Sequence, residues 1–356
     1  MVIIMKHYII PIFIPHYGCL HNCIFCNQRK ITGKDVPVKS QEVVTIISEH
    51  LAEITEKRHI EVAFYGGSFT ALTLELQSEL LEPAYQALKR GEIHAIRLST
   101  RPDCITHEIV ENLMKYGVSI IELGVQSLDN KVLEASARGH NSMHVVQAVS
   151  IIKKMKLTCG IQLMPGLPLE DWTSLIATAY GIINLAPDFV RIYPTLVIAN
   201  TQLADMYHEG CYKALSLSAG TARGAFLKLL FAQHGIQTIR TGLQATEELD
   251  KDNVVLAGPY HPAFGEMVDS YVFYIMLAHC VEFTCSSSKT NDIIIHHHPR
   301  DTSKVRGMCN GNIKKINLIY NIKTFILKQD GLNLDEIIFE NKHFSYVINK
   351  KMLFHI

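Results

Sequence analysis

What the 356-residue chain lacks bounds it first. It has no excess of charge of either sign, with 34 Lys and Arg against 34 Asp and Glu. That balance excludes a generally basic protein held to nucleic acid by charge alone, and it excludes a polyanionic tail protein. Charge of any kind is sparse, at 19% of residues where soluble domains carry about 25%. With 48% apolar residues and a mean hydropathy of +0.12, the chain is not disordered. Long apolar runs are missing. Val2–Ile14 is broken by Lys6, His7 and Pro11, and Tyr271–Phe283 by His279 and Glu282. Both fall short of the roughly 20 residues of a spanning helix. No basic region precedes the first run and no small-residue cleavage site follows it, so the expected location is the cytosol. Nine cysteines are too few for a disulfide scaffold of this length. In a reducing compartment, clustered thiols point to metal. No internal repeat or low-complexity tract is present.

What is there is an alternation. Short β-branched runs predict strands at Tyr8–Ile14, Ile60–Tyr65, Ala95–Thr100, Val118–Val125, Leu157–Met164 and Asp188–Tyr193. Amphipathic segments between them predict helices at Gln41–Lys57, Leu74–Arg90, His107–Lys115, Met143–Lys156 and Asp171–Asn184. Such βα units in series imply a parallel sheet with right-handed crossovers, either doubly wound or a partial barrel. Two helical stretches follow, near Thr201–Glu209 and Leu215–His234, then a strand at Ile236–Thr241. From about Leu243 the chain reads as irregular. A boundary is expected at residue 245, giving a core of 1–245 and an accessory domain of 246–356. Residues 300–356 carry ten Lys and Arg against five Asp and Glu, a local excess of +5.

The chemistry concentrates after the first strand. Cys19, Cys23 and Cys26 form a C-x3-C-x2-C loop. Three thiolates are one short of the Cys₄ set of an ordinary iron–sulfur cluster, which leaves one iron open. Zinc, with His16 or His21 as fourth ligand, is the alternative. A second cysteine knuckle is missing, and the other cysteines are scattered. Each predicted strand ends in punctuation. Gly66-Gly67-Ser68 follows the second, Thr100-Arg101-Pro102-Asp103 the third, Gln126-Ser127 the fourth, Pro165-Gly166 the fifth and Tyr193-Pro194-Thr195 the sixth. In a βα barrel those ends gather into one site. Adjacent glycines such as Gly66 and Gly67 let backbone approach a ligand closely.

The cysteine spacing, with Phe25 before its last member, resembles the radical S-adenosylmethionine (SAM) superfamily. That resemblance implies a partial (βα)6 TIM-like barrel with a small C-terminal α+β domain, and a [4Fe-4S] cluster on Cys19, Cys23 and Cys26. It implies reductive cleavage of SAM to a 5′-deoxyadenosyl radical, with a flavodoxin or ferredoxin as electron donor. Gly66 and Gly67 correspond to the pair that meets the methionine part of SAM. Glu122–Ser127 and Arg138-Gly139-His140 resemble a narrower group, the elongator catalytic subunits and the oxygen-independent coproporphyrinogen oxidases. There Gln126 would meet the SAM ribose and Arg138 its carboxylate. The oxidases carry a Glu where this chain has Ser99, whereas Thr100–Asp103, Tyr65–Thr70 and Ile192–Leu196 look like the elongator type. The acetyltransferase domain of that type is not found. Gly258–Glu266 looks like the C-terminal extension of short bacterial relatives. The expected substrate is a tRNA base, with a tetrapyrrole or other small metabolite, or a non-catalytic metal-stabilised RNA-binding role, as alternatives. Tyr193 and His261 are candidate groups at the substrate, tRNA is a candidate partner, and no membrane is involved.

Overall fold

A computed structural model describes residues 7–14, 22–27, 38–244, 246–247, 249–251, 253–285, 292–322, 324–341 and 345–353. The chain divides into two compact units, 1–214 with 244–258, and 215–243 with 259–356.

In the first unit, strands β1 (His7–Phe13), β2 (His59–Tyr65), β3 (Ala95–Thr100), β4 (Val118–Gln126), β5 (Thr158–Leu163) and β6 (Phe189–Ile192) lie side by side in chain order. Every neighbouring pair is parallel. Helices α1 (Ser40–Glu53), α2 (Leu74–Lys89), α3 (His107–Lys115), α4 (Asn130–Ala135), α5 (Ser142–Lys154) and α6 (Trp172–Leu185) fill the crossovers. This is the expected α/β half-barrel. The helices start where side chains cap them. Thr73 accepts the N–H of Leu76, Thr106 that of Ile109, Asn141 that of His144 and Asp171 that of Ser174. Each cap satisfies an N–H that the first turn leaves without a partner.

Period-2 alternation sorts the strand side chains. Val62, Phe64, Ile96, Leu98, Ile121, Leu123, Ile161, Leu163, Val190 and Ile192 are buried among apolar neighbours. The alternate positions Glu61, Arg97 and Glu122 are buried too, Arg191 is half-buried, and they meet one another on the opposite face. Gly160 sits on that polar face. A Cβ there would stand 2.3 Å from the Phe189 ring, which in turn packs under the Arg97 guanidinium. Strand β7 (Val197–Ile198) and helix α7 (Gln202–His208) follow, and β7 pairs antiparallel with β9 (Val255–Ala257).

The second unit departs from the sequence reading. The stretch read as irregular holds a 22-residue helix, α9 (Phe264–Cys285). It packs on α8 (Leu217–Gln233), which runs into strand β8 (Gln237–Thr241). The helix is apolar on most of its circumference, so no 3.6-residue stripe marks it in the sequence. Val268, Val272, Phe273, Met276, Leu277, Cys280 and Val281 are all buried. Gly224 on α8 allows the approach, because a Cβ there would lie 3.0 Å from Val268. Short α10 (Thr302–Arg306) and α11 (Gly311–Tyr320) complete the helical part. Strands β10 (Asp292–His297), β11 (Thr324–Gln329), β12 (Glu336–Glu340) and β13 (Ser345–Asn349) form a sheet in the order β11-β10-β12-β13. Among the described residues no helix is long and apolar enough to cross a membrane.

Gly160→Ala is expected to lower stability by about 1–3 kcal/mol, because the added methyl must displace a packed ring. Urea unfolding of the apo chain reads the change directly.

Candidate functional site at the strand ends

The site begins with a turn. The N–H of Cys26 donates to the carbonyl of Cys23 at 3.0 Å, closing the loop that carries both thiols. Cys23, Ile24 and Phe25 are buried against Val132, Leu167, Leu203 and Tyr212. Backbone bonds fix the loop from two sides: Ile24 N–H donates to Ser136 at 3.3 Å, and Leu203 N–H donates to Ile24 at 2.8 Å. Cys26 is half-buried. Cys19 lies outside the described residues.

Arg138 ties this loop to the sheet. One of its terminal nitrogens donates to the Cys23 sulfur at 3.0 Å, the other to the carbonyl of Gly124 at 2.7 Å. The guanidinium is 8% exposed, and its Nε is buried without a hydrogen-bond partner. Gly124 is a glycine because of this. A Cβ there would stand 2.9 Å from Arg138 Nη2 and 3.0 Å from Gln126 Nε2. Just beyond it the β4–β5 register slips, and Gln126 takes φ +71°, a left-handed conformation that costs a non-glycine residue about 1 kcal/mol or more. The slip turns Gln126 so that its Oε1 accepts from Gln162 Nε2 at 3.1 Å.

A second cation faces the same loop. Arg101 is 2% exposed and forks onto Asp103 with two bonds of 3.0 Å. Burial opposes its charge, but the fork onto the Asp103 carboxylate outweighs that and holds it protonated. His140 completes the cluster, with Nε2 donating to the carbonyl of Val125 at 3.1 Å and Nδ1 4.0 Å from Asp103. Burial first, and the Arg138 cation second, push the His140 ring down to about 3. Gly66, at φ +101°, and Gly67 follow β2 in a bend. Past them, the Thr70 and Thr100 hydroxyls share a 2.6 Å bond that joins the ends of β2 and β3.

The polar face behind the loops is a chain of charges. Arg97 bridges Glu61 at 2.8 Å and Glu122 at 2.9 Å. Arg191 stands 2.6 Å from Glu122 and donates to the Tyr65 hydroxyl at 2.8 Å and the Tyr193 hydroxyl at 3.0 Å. Burial, then the Glu122 carboxylate, raises the Tyr65 phenol well above its ordinary value, so it stays a proton donor. The structure therefore brings Cys23, Arg138 and Gln126 together and puts Tyr193 in the charge chain. His261 lies in the second unit, where its Nδ1 accepts the N–H of Ala263 at 3.0 Å. Gly124, Gln162 and Arg191 escaped the sequence reading. Their signal was a glycine and two polar residues at every-other strand positions, where a buried strand should be apolar.

The radical SAM superfamily model matches residues 13–179, and a radical SAM C-terminal domain model matches 187–273. An uncharacterized protein of Methanocaldococcus jannaschii is 31% identical over 213 residues, 56% of this chain and 64% of that protein. A tRNA uridine(34) acetyltransferase of Methanocaldococcus infernus is 29% identical over 185 residues, 46% of this chain and 34% of that protein. The archaeal Methanocaldococcus infernus Elp3 with an N-terminal deletion shares the fold at a TM-score of 0.60 and 23% identity, covering 75% of this chain and 62% of that one. The chain thus spans from about a third to just under two thirds of the length of these relatives.

The His140 ring is neutral when folded and has an ordinary pKa of about 6.5 when unfolded. It therefore takes up its proton on unfolding, and stability falls as pH drops from about 6.5 toward 3, by up to ~1.4 kcal/mol per pH unit. The urea midpoint of the apo chain should fall between pH 7 and pH 5. His140→Gln, which can still donate to Val125, should flatten that fall.

Proposed function

We propose that this chain, which belongs to the radical SAM superfamily and is a radical SAM enzyme, cleaves SAM reductively in order to modify a tRNA base. The residues present fit the cofactors. Cys23 and Cys26 sit on one closed turn, the buried Arg138 guanidinium donates to the Cys23 sulfur, and thiols so grouped suit an iron–sulfur centre. Arg138 Nε, buried and without a partner, fits a site that takes a further acceptor.

In this reading Cys19, Cys23 and Cys26 would hold a [4Fe-4S] cluster, and Gly66, Gly67, Gln126 and Arg138 would hold SAM. When bound, the cluster supplies the electron that splits SAM into methionine and a 5′-deoxyadenosyl radical. The protein's part is placement. Arg138 is suited to a carboxylate, because its fork pairs both oxygens. Gln126 is aimed by the β4–β5 slip and held by Gln162. Arg191 holds the Tyr193 hydroxyl at one atom, which suits Tyr193 to orient a substrate or return a hydrogen to it. The contact of Arg138 with Cys23 is the single observation that carries the reading, because it joins the cysteine loop to the end of β4.

The tRNA target is supported by the relatives, not by the basic C-terminal segment. Some of its cations are already paired, since Lys304 bonds to Asp301 and Asp335, and Lys350 to Asp335. We place the protein in the cytosol, reduced by a flavodoxin or ferredoxin, with a functional division into a core of 1–245 and an accessory part of 246–356.

Anaerobic protein reconstituted with iron and sulfide should form 5′-deoxyadenosine from SAM and dithionite, and added unmodified tRNA should raise the yield. Cys23→Ala should abolish formation, and Arg138→Ala should cut it at least ~10-fold, the loss expected for one charge-assisted pair. Cluster-loaded protein that makes none, with or without tRNA, would overturn the reading in favour of a metal-stabilised binding protein. Turnover raised by a tetrapyrrole but not by tRNA would move the substrate to that class.

A further inference from the structure

At the N-terminal ends of the strands, away from the cysteine loop in sequence and register, two imidazoles converge on one buried carboxylate. His7 and His59 are register partners across β1 and β2, and Glu61 lies two residues on along β2, on the same face. One Glu61 oxygen, Oε1, stands 3.2 Å from His59 Nε2 and 3.4 Å from His7 Nδ1. The three donor atoms all lie within 4.8 Å of one another. We propose that His7, His59 and Glu61 form a site for a late first-row divalent metal ion, Zn²⁺ foremost, that pins β1 to β2.

Four features support it. The first is spacing. Donors bound about 2.0–2.1 Å from a tetrahedral Zn²⁺ sit roughly 3.3 Å apart, and both distances from Oε1 match that edge. The His7 separation is too long for a good N–H···O bond.

The second is donor chemistry. Two imidazoles and a carboxylate suit zinc and its neighbours in the first row, and hard ions such as Mg²⁺ prefer all-oxygen sets.

The third is orientation. The other Glu61 oxygen is fixed by Arg97 at 2.8 Å, the kind of outer partner that aims a ligating carboxylate.

The fourth is access. The His7 and His59 rings lie 4.6 Å apart and the His94 ring lies 4.8 Å beyond His59. His94 is engaged otherwise, its Nδ1 accepting the N–H of Ile60 at 3.1 Å. Glu61 is 4% exposed and His7 63%, so the site opens to solvent on the His7 side and leaves room for water as a fourth ligand.

The proposal does not depend on SAM chemistry. Full-length protein carrying its cluster, freed of loosely held metal by a weak chelator, is titrated with Zn²⁺ by calorimetry. A single tight Zn²⁺ beyond the iron is expected. His7→Ala and His59→Ala, both at solvent-facing positions, should each weaken it at least ~10-fold while iron content and circular dichroism stay unchanged. His50→Ala, on α1, should leave it intact. Co²⁺ in place of Zn²⁺ should give tetrahedral ligand-field bands without a thiolate charge-transfer band. No zinc beyond the cluster, an affinity unchanged from the parent protein in either histidine variant, or a thiolate band would each overturn the site. Because none of these readouts needs 5′-deoxyadenosine, a failed turnover assay leaves the result untouched.

Discussion

A carboxylate held between two guanidiniums governs the polar face of the half-barrel. Glu122 has Arg97 on one side and Arg191 on the other, and all three are buried or nearly so. Taking such charges out of water costs several kcal/mol each, and only close opposite charge offsets that cost. Pairing is therefore a condition for the face to exist. Once it is met, the side chains cannot drift, because any displacement exposes a buried charge to a low-dielectric surrounding. The chain of contacts runs from Glu61 on β2 through Arg97 on β3 and Glu122 on β4 to Arg191 on β6. It hands two phenols, Tyr65 and Tyr193, to the C-terminal ends of the strands with their hydroxyls already fixed.

The same economy shapes the loops above. Arg138 reaches Cys23 only because Gly124 has no side chain, and Gln126 turns toward Gln162 only because the strand slips there into a left-handed residue. Strain of this kind persists where surrounding contacts over-determine it. Here those contacts are the Arg138 fork and the Gln162 amide. Arg101 and Asp103 work alongside them as a bidentate pair, and His140 fills the remaining space as a neutral ring. The result is a positive, water-poor wall behind a cysteine loop. That is a setting in which an anionic ligand group finds a partner.

Much of this was legible in the sequence. Six strands and five helices among those of the first unit fall within a few residues of their predicted ends, because β-branched runs and amphipathic stretches separated by Ser, Thr, Asn and Asp caps carry strong local signals. Cys23, Gln126 and Arg138 were legible as a motif, and the contact of Arg138 with Cys23 adds what spacing cannot give. The partners that fix them were not legible. Gly124 reads as any glycine in a strand until the Arg138 side chain is seen against it. Arg191 reads as a surface charge until its three neighbours, Glu122, Tyr65 and Tyr193, are in place. Helix α9 was lost for the opposite reason. Apolar beyond the face it buries, it has no polar stripe to betray a period. A small C-terminal α+β domain was expected, but its strands were not placed, because β10 and β11 pair across two intervening helices, a non-local contact that no short window records.

Alternation along the strands explains why both ends of the polar face have chemistry available. A strand whose one face packs on helices has the other face free to carry charge, and parallel neighbours bring those charges level. At the C-terminal ends that face meets the cysteine loop. At the N-terminal ends it meets His7 and His59, with Glu61 as the last carboxylate of the row. Arg97 belongs to both groups, since one nitrogen holds Glu61 and another faces Glu122. Glu61 therefore answers to a cation on its inner side whether or not an ion binds on its outer side. The metal site is stable without its metal for that reason, and it can fill without disturbing the charges that support the strand-end loops.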